Sequence, residues 1–216
     1  DLVREEVGAN EVSILGHGEY NLNYKYDKNY VFRINIGSQL HLGENQIVYE
    51  YNALKKLENS GVTPKVYQVE KKGKWIPKGF LSMEFLEGRP LNYDTDLDIA
   101  AYLLAKVHNQ PFTNDGMILA DKPFKVMYDE FITMFSVYKA WDNKDIKLEN
   151  SIENLLRIAK SRGLDDEIKT PCIINTELNN RNFIIGKDKE SSYIIDWEKP
   201  LIGDCEQDLA HFTVPT

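Results

Sequence analysis

A chain of 216 residues with 42% hydrophobic content is long enough to bury a substantial core, as one large domain or as two smaller lobes. Its formal net charge of -8 disfavours a nucleic-acid or anionic-membrane surface, and two cysteines, Cys172 and Cys205, are too few for a disulfide scaffold. No run reaches the roughly 18–20 apolar residues that a membrane-crossing helix needs, and no secretory leader opens the sequence, so a cytoplasmic protein without nucleic-acid or membrane partners is expected.

The front of the chain reads as strands. Segments 12–15, 22–26 and 30–34 are short apolar or alternating runs, and Gly16, Gly18 and the cluster Asp27-Lys28-Asn29 punctuate them as turns, which predicts a meander. Ile47, Tyr51, Leu54 and Leu57 then fall near helical spacing, predicting a helix over 43–59 that Gly61 stops. Two further strands, 65–70 and 79–85, are joined by the turn-rich KKGKWIPKG. Beyond Gly88-Arg89-Pro90 the period changes, and helices are expected at 97–108, 127–138 and 152–161. The aromatic-rich stretch 127–141 reads as a helix packed in the core, with a substrate-contacting wall as the alternative, and 142–145 reads as a solvated loop. The chain stops at Pro215-Thr216 just after a helical stretch, so the helical half is expected to continue further.

The chemistry concentrates in 172–198, CIINTELNNRNFIIGKDKESSYIIDWE. The runs CII, FII and YII read as buried strands, which places Glu177, Asn182 and Asp196 at strand ends or in the loop between them. Two carboxylates and a carboxamide supply oxygen ligands and a proton acceptor, a set that suits Mg²⁺ and phosphoryl transfer. Read singly, Asn182 is equally a loop cap and Asp196 an ordinary strand-end residue. Gly16 and Gly18 form either a plain hairpin turn or a loop whose backbone N–H groups meet phosphates. The Gly-Lys-Ser/Thr ending of a P-loop is missing there. Arg33 stands in the apolar run YVFRI, either on a solvated strand edge or as a phosphate-facing cation held by Glu50. His17, His41, His108 and His211 show no metal-ligand spacing, and nothing in the pattern activates either cysteine.

In order, the turn GHGEYN, the strand YVFRI, the segment EYNALKKLENSGVTPKVY, the hinge-like FLSMEFLEGRPL, the helix end LLAKVH, and the pair NTELNNRNFII and YIIDWEKPLIGDCEQDLAHF resemble the aminoglycoside phosphotransferase and choline kinase family. The resemblance implies an α+β, two-lobed protein-kinase-like fold. Residues 1–86 would form a nucleotide-binding lobe of antiparallel sheet plus helix, and residues 87–216 a mostly helical catalytic lobe. It further implies a small-molecule kinase using ATP or GTP with Mg²⁺. The nucleotide base would lie against the hinge near Glu84 and Leu86, Gly16 and Gly18 would form the nucleotide loop, and Arg33 with Glu50 would steady the phosphates. Asn182 and Asp196 would hold the metal, Asp208 would brace the catalytic loop, and Glu177 would orient the acceptor hydroxyl. The acceptor would be a small hydroxylated, cationic molecule such as an amino alcohol or an aminoglycoside. One departure matters: Asn175-Thr176-Glu177 stands where the family has His-Gly-Asp. Glu177 keeps the charge on a longer stem, which leaves a nucleotide-binding pseudokinase as the alternative.

Overall fold

The computed structural model describes residues 2–164 and 166–213, so Pro215 and Thr216 lie outside it. The front half is a five-stranded antiparallel sheet in the order β1-β2-β3-β5-β4, formed by β1 (Val12–His17), β2 (Asn21–Tyr26), β3 (Tyr30–Asn35), β4 (Val66–Glu70) and β5 (Phe80–Glu84). Central β3 is buried on both faces from Val31 to Asn35, which explains why its sequence runs apolar rather than alternating. Asp27 adopts φ 48° in the turn that pairs Tyr26 with Tyr30. β1 carries a register shift between Ile14 and Gly16, and that bulge bends the strand end carrying the glycines.

Helix α2 (Gln46–Leu57), flanked by single 3-10 turns, packs on β4 and β5 through Ala53, Leu54 and Leu57. Helix α1 (Leu2–Val7), unmarked by any apolar period, seals the other face of the sheet by placing Val3 in a cluster with Phe32, Ile34, Ile76 and Phe80. Its Glu6 accepts the backbone N–H groups of Lys74 (2.9 Å), Trp75 (2.5 Å) and Ile76 (3.1 Å), pinning the long β4–β5 loop.

The second half contains helices α3 (Leu97–His108), α4 (Pro123–Lys139), α5 (Ile146–Ser161) and α6 (Cys205–Thr213) and two small two-stranded sheets. β6 (Pro171–Ile174) pairs antiparallel with β9 (Leu201–Asp204), and β7 (Phe183–Ile184) pairs with β8 (Tyr193–Ile194). The α+β, two-part architecture is therefore as expected. One continuous apolar cluster runs from Val31, Leu81 and Ile47 through Leu103 to Ile173, Phe183 and Trp197, so sheet and helices share a core. Past the hinge, Arg89 and Ile185 exchange backbone hydrogen bonds of 3.1 and 2.7 Å. A side chain at Gly88 would meet Ile184 Cγ2 at 2.6 Å and the Ile185 carbonyl at 2.7 Å, so only glycine permits this close approach.

One reading is corrected. Helix α4 exists, but of its residues only Pro123 and Phe135 are buried, while Phe124, Phe131, Met134 and Val137 are exposed. Helical periodicity reports that a face is apolar and says nothing about what covers it, and here α4 packs mainly on α5, itself without a buried residue. Within the expected loop 142–145, Asp145 is a helix cap: its carboxylate accepts from the N–H groups of Lys147 (2.7 Å) and Leu148 (3.3 Å) and starts α5 six residues earlier than the apolar spacing indicated.

Candidate active site

A cleft of about 420 Å³ lies between the sheet and the helical half, and Gly16, Gly18, Arg33, Glu84, Leu86 and Asp196 all line it. Neither glycine has a positive φ, and a side chain at either would meet nothing within 4 Å. Neither backbone conformation nor close packing requires glycine at these two positions of the β1–β2 hairpin. Both lie in the lining of the cleft, where the missing side chains leave the backbone open to it. The turn itself is closed by the Gly18 N–H donating to the Asn21 carbonyl at 2.9 Å.

Arg33 projects from β3 into the boundary between the halves. Its Nη1 donates to Glu50 Oε1 at 2.5 Å and to Asp196 Oδ1 at 3.2 Å, and its Nε donates to Asn23 Oδ1 at 3.0 Å. Burial alone would lower its basicity, but Glu50 and Asp196 outweigh that and hold the guanidinium firmly charged. Burial pushes Glu50 upward against the pull of Arg33, and its Oε2 has no partner among the described residues. Arg33 is thus a fixed cation rather than a solvated strand residue, and a full charge kept at 5% exposure requires such partners.

At the chain's other end, Asp196 has φ 64° and leaves its carboxylate 44% exposed toward the cleft. Trp197, 1% exposed and bonded through Nε1 to the Ile194 carbonyl at 3.0 Å, anchors the residue after it. Glu198 then returns to the same cleft, where Asn21 Nδ2 donates to it. Its carboxyl is pushed up to about 7, first by burial and next by neighbouring Asp196. Sequence reading had given Glu198 no role, although its place two residues beyond Asp196 in IIDWE was the available signal.

Asn182 ends a 3-10 turn (Asn180–Asn182) whose cap is Asn179, the acceptor for the Arg181 N–H at 2.9 Å. The loop-cap account therefore belongs to Asn179. The Asn182 carbonyl accepts from the Ile195 N–H at 2.8 Å, which ties it to the residue before Asp196. Its side chain is buried and forms no hydrogen bond among the described residues. A carboxamide without a hydrogen-bond partner among the described residues and a half-exposed carboxylate are both oxygen donors of the kind Mg²⁺ prefers to share with phosphate. Among the described residues no group of three His, Cys, Asp or Glu is arranged to hold a metal.

Asp208, fully buried, accepts the Asn175 N–H at 3.0 Å and the Thr176 N–H at 2.9 Å, and contacts His108 Nε2 at 2.9 Å. This braces the loop that carries Glu177, in which Thr176 is held at φ 74°. Asn175 Nδ2 donates to the Asp196 carbonyl at 3.0 Å, linking that loop to the candidate metal site. Glu177 itself does not line the large cleft. It faces a second cavity of about 210 Å³ together with Gln39, Phe131, Met134, Glu130 and Lys199. There Gln39 Nε2 donates to Glu177 Oε1 at 2.5 Å, and Lys199 Nζ pairs with Glu130 Oε1 at 2.5 Å. Gln39, Lys199 and Glu130 carried no sequence signal, except that Glu130 lies within the stretch whose alternative reading was a substrate wall. Both cysteines are free, and burial raises both thiols, most strongly Cys172, so neither is an activated nucleophile.

A cleft between an antiparallel sheet and a helical half, floored by a locked arginine and edged by carboxylates, defines a kinase-like phosphotransferase architecture. The family model for the phosphotransferase enzyme family matches residues 11–214, and the chain belongs to that family. Among solved structures, the GDP and kanamycin complex of APH(2")-IIia aligns over 97% of this chain and 75% of that one, with a TM-score of 0.73 at 15% identity. The streptomycin and ATP complex of APH(2")-IIa aligns over 95% and 71%, with a TM-score of 0.66 at 18% identity. Spectinomycin phosphotransferase APH(9)-Ia, with ADP and spectinomycin, aligns over 96% and 70%, with a TM-score of 0.57 at 16% identity. At such identities the likeness is one of fold. Comparison with curated protein sequences gives no match.

Proposed function

We propose that this protein is a small-molecule kinase that moves the γ-phosphoryl group of ATP or GTP to the hydroxyl of an amino alcohol, aminoglycoside or similar metabolite. The observation that carries the reading is Arg33, which bonds both Glu50 and Asp196 and so fixes a cation at the floor of a nucleotide-sized cleft. The nucleotide base lies against the hinge at Glu84 and Leu86, where the Leu86 N–H has no acceptor among the described residues. The glycine turn covers the phosphates, and Arg33, held by Glu50, balances their charge. Asn182 and Asp196 would hold Mg²⁺, which neutralises charge on the phosphate oxygens when bound.

Glu177 faces the second cavity, where the acceptor would sit, and would take or orient the hydroxyl proton. The acceptor oxygen bonds to the γ-phosphorus, the bond from that phosphorus to its bridging oxygen breaks, and the nucleoside diphosphate leaves. A second reading, a nucleotide-binding pseudokinase, is favoured by one observation: Gln39 already engages the Glu177 carboxylate. Comparing Glu177→Gln with Asp196→Asn separates the two. A kinase loses turnover in both variants, whereas the pseudokinase loses nucleotide binding with Asp196→Asn and shows slow hydrolysis indifferent to Glu177. A folded protein that binds neither nucleotide in the presence of Mg²⁺ excludes both.

A further inference from the structure

We infer that Gln39, on the loop that follows β3, is a positioning residue for the phosphoryl transfer: its amide holds the Glu177 carboxylate, so the front half of the molecule sets the geometry at the acceptor hydroxyl. This rests on the phosphotransferase reading above. The Glu177 carboxylate has one hydrogen-bond donor among the described residues, Gln39 Nε2 at 2.5 Å. At the other end of the same amide, Gln39 Oε1 is buried and has no partner among the described residues. A glutamine kept for folding alone satisfies both ends of its amide, because an orphaned buried acceptor costs stability. Turning the amide over would set Oε1 against a carboxylate, so the contact with Glu177 fixes which way it points.

The loop is built to deliver that contact. Asn35, at the end of β3, donates through Nδ2 to the Gly37 carbonyl at 2.7 Å and to Asn21 Oδ1 at 3.1 Å. Ser38 Oγ donates to Gln46 Oε1 at 2.8 Å and accepts the Leu42 N–H at 2.7 Å, which ties the loop to the start of α2. Gln46 Nε2 reaches the Glu198 carbonyl at 2.6 Å, and the Glu198 carboxylate takes Asn21 Nδ2, so these bonds close a ring through two residues of the cleft lining. On the far side of Gln39, Leu40 packs against the cluster of Ala120, Cys172, Ile174 and Leu201 in the helical half. Gln39 is thus held between a neighbour bonded to the front half and a neighbour buried in the back half. It lines the Glu177 cavity and not the nucleotide cleft, so its effect belongs to turnover rather than to nucleotide affinity.

The experiment measures steady-state nucleoside diphosphate release from ATP and GTP, with ethanolamine, choline and kanamycin as acceptor probes, for Gln39→Leu and Gln39→Glu in the parent and in Glu177→Asp. Nucleotide-induced thermal stabilisation reports folding and cleft binding in every variant. Gln39→Leu nearly keeps the volume and removes the donor, so kcat is expected to fall about tenfold or more while the KM for nucleotide stays within about threefold. Gln39→Glu, which sets two like charges together, is expected to fall at least as far. In Glu177→Asp, whose carboxylate has already drawn back from Gln39, Gln39→Leu is expected to cost less than about threefold, because the residue acts through Glu177. A kcat near the parental value in both variants, equal losses in the two backgrounds, or loss of nucleotide-induced stabilisation in both variants overturns the inference. So does a rise in kcat, which would make Gln39 a block on Glu177, and so does nucleotide binding by the parent without turnover of any of the three probes. Failure of the parent to bind nucleotide instead rejects the phosphotransferase reading on which the inference stands.

Discussion

Glu177 carries its carboxylate one methylene further from the backbone than an aspartate would, and Gln39, 138 positions earlier, meets it there. The two residues before Glu177 are tethered twice, by Asp208 on the Asn175 and Thr176 N–H groups and by Thr176 Oγ1 on the Lys199 carbonyl. The longer stem is thus matched to a partner, and shortening it should hurt. For Glu177→Asp we expect kcat to fall about 10–100-fold, because the carboxylate retreats by roughly 1.5 Å from a braced site that cannot follow. A rate equal to or above that of the parent would show that the loop accommodates either length. The family resemblance singled out Asp196 and Asp208, and the structure places them at the cleft and beneath the Glu177 loop. Gln39, Glu198 and Lys199 were not legible in the sequence, since their roles appear only when segments distant in the chain meet, as in the Asn21–Glu198 contact across 177 positions.

At the scale of elements, the sheet was readable because each strand is short, apolar and bounded by turn residues. β9 was missed because its four residues, Leu201–Asp204, follow Pro200 and are all buried, so no alternation marks them. The hinge owes its position to Gly88. In a Gly88→Ala variant the added Cβ overlaps the Ile184 side chain and the Ile185 carbonyl, and the backbone pair between Arg89 and Ile185 must open. Overpacking of this kind costs about 1–3 kcal/mol, and here it also strains the segment joining sheet to helices. Urea unfolding should show the loss as a lower midpoint with an unchanged slope; an unchanged midpoint would mean that β7 yields without cost.

For the molecule as a whole, two buried carboxylates set the behaviour in acid. Asp96 is held well below its ordinary range by Arg89, at 2.5 and 2.9 Å, and then by the Asn92 N–H. Burial raises Asp204, but the N–H groups of Lys169, Glu206 and Thr170 outweigh it and bring it down. A carboxylate whose folded pKa is depressed contributes stability above its unfolded pKa, about 3.9 for aspartate, and loses it as pH falls through the folded value. The melting temperature should therefore drop below about pH 4, and Asp96→Asn together with Asp204→Asn should flatten that limb of the curve. A double variant with the parental acid profile would place the acid-sensitive groups elsewhere.

Nucleotide binding tests the cleft and the shared core together. The halves are already joined without ligand: Gln46 Nε2 donates to the Glu198 carbonyl at 2.6 Å, Tyr49 OH to the Pro200 carbonyl at 2.5 Å, and the Ile194 N–H to the Val62 carbonyl at 2.8 Å. With one apolar cluster spanning both, they should unfold in a single transition, and a ligand held between them stabilises that whole unit. At a free nucleotide concentration of about 100 times Kd the gain is about 2.7 kcal/mol, which for a chain of this size corresponds to roughly 5–10 °C in melting temperature. If Asn182 and Asp196 hold the metal between protein and phosphates, the shift needs Mg²⁺, and Asp196→Asn should abolish most of it while leaving the ligand-free melting temperature within a few degrees. A full shift in a chelating buffer, or in Asp196→Asn, would assign nucleotide binding to Arg33 and the glycine turn alone.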